Sequence, residues 1–87
     1  MIEVGYKPAF IRQYKKLPKA LQDEVVDKIE LFKNLKNHQT LRVHKLKGEL
    51  AGYLSFSVNY KYRIVFTWEK VNSSAALLAV GDHSLYD

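Results

Sequence analysis

The sequence predicts an α+β fold in which a helical hairpin packs on a small, mainly antiparallel, twisted sheet, in the order β-α-α-β-β-β. Three observations predict it. Apolar residues recur at helical spacing from Phe10 to Leu35, Pro18 divides that stretch, and from Tyr53 onward the pattern changes to that of strands. With 87 residues, 47% of them hydrophobic and 13% aromatic, the chain can build one modest core, so one domain over residues 1–87 is expected.

Ile2 to Tyr6 alternates apolar with polar residues and stops at Lys7-Pro8, which suits a short first strand. Pro8 then opens a helix on which Phe10, Tyr14 and Leu17 share a face. Pro18 ends it, because an internal proline loses a backbone hydrogen bond and clashes with the preceding turn. From Pro18 to about Asn37 the set Leu21, Val25, Ile29, Phe32 and Leu35 predicts a longer helix, widened by Val26 and Leu31. Asp23, Glu24, Asp27 and Glu30 precede Lys33 and Lys36, an order that complements the helix dipole, and Glu24 with Lys28 makes an i,i+4 pair. Tyr53 to Val58, Tyr62 to Glu69 and Ala75 to Val80 then read as a three-strand antiparallel meander, separated by turns at 59–61 and 71–74. The helices cover one face of this sheet and leave the other free.

The chain contains no cysteine, which excludes a disulfide scaffold, a thiolate metal site and a cysteine nucleophile. No run approaches the length of a membrane span and no signal-peptide core follows Met1, so a cytoplasmic protein is expected. There is no glycine-rich phosphate loop and no nucleophile elbow. His38, His44 and His83 lack the spacing of a metal site, so no metal and no cofactor is expected.

Fourteen Lys and Arg against nine Asp and Glu leave a net charge of +5, which favours a polyanionic or acidic partner. The excess is uneven. Between Leu31 and Gly48 there is no acidic residue, while Lys33, Lys36, Arg42, Lys45 and Lys47 stand there with His38 and His44. Such a run is either a solvated surface or a phosphate-facing rim, the latter if Lys45, Lys47 and Arg63 converge at the mouth of the sheet. Tyr53, Tyr60, Tyr62, Trp68 and Tyr86 offer stacking surfaces to unpaired bases, but most read as core or sheet-face packing. Tyr62, Ile64, Phe66 and Trp68 share strand parity as one buried face, and Tyr86 in the polar tail is taken as the ligand-facing ring.

His44 is flanked by Arg42, Lys45 and Lys47, whose charges favour a neutral, proton-accepting imidazole. His83 follows Asp82 just beyond the last strand. Two imidazoles and fixed cations suffice for phosphodiester cleavage. One takes the proton of a ribose 2′-OH, a guanidinium stabilises the phosphate, and the other imidazole protonates the leaving 5′-oxygen. For each histidine the plain alternative is ordinary polar surface, and for His38 that alternative is preferred.

The ordered set His44-Lys45-Leu46-Lys47-Gly48, Gly52 to Val58, Tyr62-Arg63-Ile64-Val65-Phe66 and Gly81-Asp82-His83-Ser84-Leu85-Tyr86 resembles the RelE/ParE superfamily of bacterial toxins, in particular its RelE/YoeB/YafQ-like mRNA interferase branch. The resemblance covers nearly the whole chain and implies a RelE-like, microbial-RNase-like fold. It implies a toxin of a type II toxin–antitoxin system that cleaves mRNA on the ribosome and so inhibits translation. By resemblance His44 is the general base, Arg63 binds the scissile phosphate, His83 protonates the leaving group and Tyr86 stacks on a base. Arg42, Lys45, Lys47 and Lys61 complete the RNA-binding set.

Departures shape this expectation. Ser55 and Ser57 stand where RelE carries two lysines, Ser57 replaces a histidine of the YafQ-like pattern, and Lys61 lies near that pattern's acidic position. A histidine-dependent, metal-independent endoribonuclease is the result. The implied partners are an acidic RelB-like antitoxin, mRNA in the ribosomal A site, and 16S rRNA held by the basic helices, with no membrane. The alternatives are a ParE-like inhibitor of DNA gyrase and a catalytically degenerate toxin that only binds its antitoxin.

Overall fold

The computed structural model describes residues 1–82. The elements are β1 (Glu3–Tyr6), α1 (Pro8–Lys15), α2 (Lys19–Phe32), β2 (His44–Lys45), β3 (Leu54–Ser57), β4 (Arg63–Lys70) and β5 (Ser74–Gly81), with single 3-10 turns at Leu35–Asn37 and Gly48–Leu50. The strands form one sheet in the order β1-β5-β4-β3-β2. The helical hairpin carries the chain from one edge to the other, and the meander β2-β3-β4-β5 brings it back until β5 lies parallel to β1.

The α+β class, the helical hairpin and the meander are as expected. Two details are not. β2 is an additional strand, pairing His44 with Ser55 and Lys45 with Leu54; two residues are too few to show alternation in a sequence. α2 ends at Phe32 rather than near Asn37, because Asn34 takes an extended conformation and its Oδ1 accepts from the Lys36 amide. The freed carbonyls are covered by side chains that reach back, Asn37 Nδ2 donating to Leu31 O at 2.9 Å and His38 Nε2 to Phe32 O at 2.7 Å. The expected Glu24–Lys28 pair does not form. Lys19 bonds Asp23 and Lys33 bonds Glu30, raising both ammonium groups above their ordinary range. Glu24 instead accepts from Asn59 Nδ2 at 3.4 Å.

The core lies between the hairpin and the sheet. Phe32 is its centre, stacked on Phe56 at 4.5 Å and meeting Phe66 edge-on at 4.8 Å. Val25 and Ile29 from α2 and Ile64, Leu77 and Val80 from the sheet surround it, all buried. The partly buried His38 ring stacks on Phe32 at 4.7 Å, which gives this histidine a packing role. The opposite sheet face is not bare, since Leu46, Ser55 and Val65 are buried there. Ser55 is 0% exposed, and its Oγ has no hydrogen-bond partner among the described residues.

Candidate active site

Opposite residues of antiparallel strands point to one face, so the pairs His44–Ser55 and Ser57–Arg63 place all four on the side away from the helices. The two rows are one side-chain step apart, roughly 7 Å along β3. At the Ser57–Arg63 row, beside the turn from β3 to β4, lies a cavity of about 280 Å³ lined by Arg42, Ser57, Asn59, Tyr60 and Arg63. Two arginines line it, and among the described residues no carboxylate does.

The turn from β3 to β4 is built by Asn59. Its Oδ1 accepts from the amides of Lys61 at 2.9 Å and Tyr62 at 2.8 Å, an Asx-turn that closes the loop. Arg63 Nη1 donates to the Asn59 carbonyl at 2.7 Å and to the Tyr62 carbonyl at 3.2 Å, so the half-buried guanidinium is held over the same turn. Tyr60, at its tip, is 90% exposed.

Arg42 enters from the segment before β2 and has φ = 59°, a left-handed conformation uncommon for a residue with a Cβ. The Arg42 amide donates to Gln39 O and the Val43 amide to His38 O, which lock that backbone. The Arg42 carbonyl accepts from His44 Nδ1 at 2.7 Å. A carbonyl can only accept, so Nδ1 carries the hydrogen, and Nε2 of the neutral ring is left as a proton acceptor. His44 itself is exposed.

Not every expected residue joins this cluster. Lys45 pairs with Leu54 and therefore alternates to the helix side of the sheet, while Lys47 precedes the 3-10 turn at Gly48–Leu50. The convergence expected of Lys45, Lys47 and Arg63 is replaced by that of Arg42 and Arg63. Lys61 reaches over the Tyr62 ring, 5.8 Å from its centre. His83 and Tyr86 lie outside the described residues. The sequence reading missed Asn59, although an asparagine opening a hairpin turn is an Asx-turn signal. It also passes over Tyr60, one of the aromatics able to stack on a base, in favour of Tyr86, although the place of Tyr60 in that turn leaves it exposed. Ser55 is buried and lines no part of the cavity, whereas Ser57 does. Among the described residues no three His, Asp or Glu side chains group to hold a metal ion.

A family model described as "RelE-like toxin of type II toxin-antitoxin system HigB" matches residues 9–83. The chain belongs to this family of HigB-like toxins. The superfamily named from the sequence is thereby shown, with HigB-like as the matching branch. No curated protein matches the chain. Solved structures share its fold. YafQ from E. coli strain BL21(DE3) aligns over 100% of both chains with a TM-score of 0.79 at 14% identity. The RelBE2 toxin–antitoxin complex from Mycobacterium tuberculosis covers 94% of this chain and 98% of the other (TM-score 0.71, 24% identity). The YoeB-YefM complex from Staphylococcus aureus covers 95% and 98% (TM-score 0.71, 20% identity). At these identities the likeness is one of fold. Among the described residues of this HigB-like toxin, no helix is long and apolar enough to cross a membrane.

Proposed function

We propose that this HigB-like toxin is a metal-independent endoribonuclease that cuts mRNA in the ribosomal A site. One observation carries the reading: Arg42 and Arg63 line a cavity to which no carboxylate among the described residues contributes, and the Arg42 carbonyl takes the His44 Nδ1 hydrogen, which leaves Nε2 as the proton acceptor. In the reaction His44 Nε2 takes the proton of a ribose 2′-OH, the 2′-oxygen attacks phosphorus, and the P–O5′ bond breaks. The two guanidiniums stabilise the charge on the phosphoryl oxygens, and the 5′-oxygen takes a proton from the general acid. That acid is assigned to His83 on sequence resemblance alone. The product carries a 2′,3′-cyclic phosphate or the 3′-phosphate formed from it.

The partner is an acidic antitoxin. The net charge of +5 supports this, as does the apolar groove of about 260 Å³ lined by Tyr6, Phe10, Ile11, Tyr14, Val26 and Ile29, which suits an amphipathic segment. Two solved toxins of this fold are complexed with RelB-type and YefM antitoxins. The basic residues of the helices are the surface offered to 16S rRNA, with the toxin acting in the cytoplasm.

Induction in cells tests the reading. His44→Ala, Arg63→Ala and His83→Ala should each relieve growth arrest and mRNA cleavage. Full toxicity of all three variants overturns it, and growth arrest with intact mRNA and inhibited DNA supercoiling points to gyrase instead.

A further inference from the structure

We infer that Tyr60 is the base-stacking platform of this groove, holding the nucleobase next to the phosphate that Arg42 and Arg63 bind. The inference rests on the endoribonuclease reading and adds to it the residue that would set nucleotide preference. Most other tyrosines of the described chain have work inside the fold. Tyr6 and Tyr14 lie against Phe10, at 5.6 and 6.4 Å between ring centres, and Tyr62 packs on the core beneath Lys61. Tyr60 is 90% exposed, and no ring contact or hydrogen bond involves its side chain among the described residues.

Exposure alone would leave Tyr60 an ordinary surface residue. Its position is what distinguishes it. Tyr60 lines the same cavity as Arg42 and Arg63, and the residue before it is held four ways: Asn59 Oδ1 accepts from Lys61 and Tyr62, its carbonyl accepts from Arg63, and its Nδ2 donates to Glu24 on α2. The turn that carries Tyr60 is thus tied to the arginine it serves, which leaves the ring itself to be ordered when a base arrives. Single-stranded RNA held by cations along its backbone splays its bases outward, and an exposed aromatic ring beside those cations is the complementary surface.

The test uses ribosomes programmed with an mRNA made uncleavable by 2′-methoxy groups, with 2-aminopurine placed in turn at each A-site codon position. The wild-type toxin should quench the fluorescence at one position. Tyr60→Ala should lose that quench and bind roughly five- to 150-fold more weakly, as removal of a stacking ring does. Tyr60→Phe should restore both, and an abasic nucleotide at the quenched position should erase the difference between wild type and Tyr60→Ala. An undiminished quench and unchanged affinity in Tyr60→Ala overturn the inference and leave the endoribonuclease reading standing. If Arg42→Ala and Arg63→Ala bind like the wild type, or the wild type does not bind, that reading falls and the platform with it.

Discussion

Arg42 holds a conformation that its side chain disfavours, at the point where the residue lines the cavity and its carbonyl orients His44. Strain of this kind persists where surrounding bonds over-determine the backbone, and it often marks residues kept for function. Glycine adopts the same φ without penalty. Arg42→Gly should therefore raise stability by about 0.5–1 kcal/mol in urea titrations while lowering mRNA cleavage roughly tenfold to a hundredfold through loss of a charged contact. A loss of both stability and activity would instead make Arg42 a structural residue. Ser55 is the opposite case: a buried hydroxyl without a partner among the described residues, on the same face as the proposed chemistry. Because an unsatisfied buried hydroxyl costs free energy, Ser55→Ala should leave stability unchanged or raise it by up to about 1 kcal/mol, with cleavage intact. A marked loss of cleavage would place Ser55 in the site after all.

The elements show how short segments are fixed by single polar side chains. The segment after α2 depends on His38, which stacks on Phe32 and donates to the Phe32 carbonyl at the helix end. His38→Ala removes a ring contact and a hydrogen bond together, and should cost about 2 kcal/mol in a urea titration; an unchanged midpoint would show that the segment needs no such anchor. The β3–β4 turn depends likewise on Asn59. Asn59→Asp retains the Oδ1 acceptor but loses the donor to Glu24 and brings a carboxylate to a cavity that has none among the described residues. Stability should fall by no more than about 1 kcal/mol, whereas RNA binding should fall by more than that; equal losses would assign Asn59 to the fold alone. Helices and long strands were legible because period and proline mark them over many residues. The early end of α2 was not, since Leu35 continues the apolar spacing, and only the side-chain bonds of Asn34, Asn37 and His38 show that the backbone has left the helix.

Across the whole molecule, the sequence named the residues of the candidate site more readily than their arrangement. His44 and Arg63 stand out by type and by their places in recognisable segments, and the register puts both on one face. Lys45, adjacent to His44, belongs to the other face, because strand alternation decides direction and a two-residue strand shows no alternation in its sequence. The net charge of +5 therefore overstates the cations gathered on the face of the proposed site. On the proposed endoribonuclease reading, charge sets the general attraction to a polyanion, while Arg42 and Arg63, which line one cavity, are the residues that meet the scissile phosphate. These contributions separate in salt. Each phosphate contact on a single strand adds about 0.7 to the slope of log affinity against log salt concentration. Measured with an uncleavable oligoribonucleotide, Arg42→Ala and Arg63→Ala should each lower that slope by about 0.7, whereas Lys19→Ala, removing an exposed lysine already paired with Asp23, should leave it unchanged. If Arg63→Ala weakens binding without altering the slope, Arg63 shapes the turn and the phosphate lies elsewhere. If all three variants lower the slope equally, the RNA is held by diffuse charge and the cavity has no privileged role.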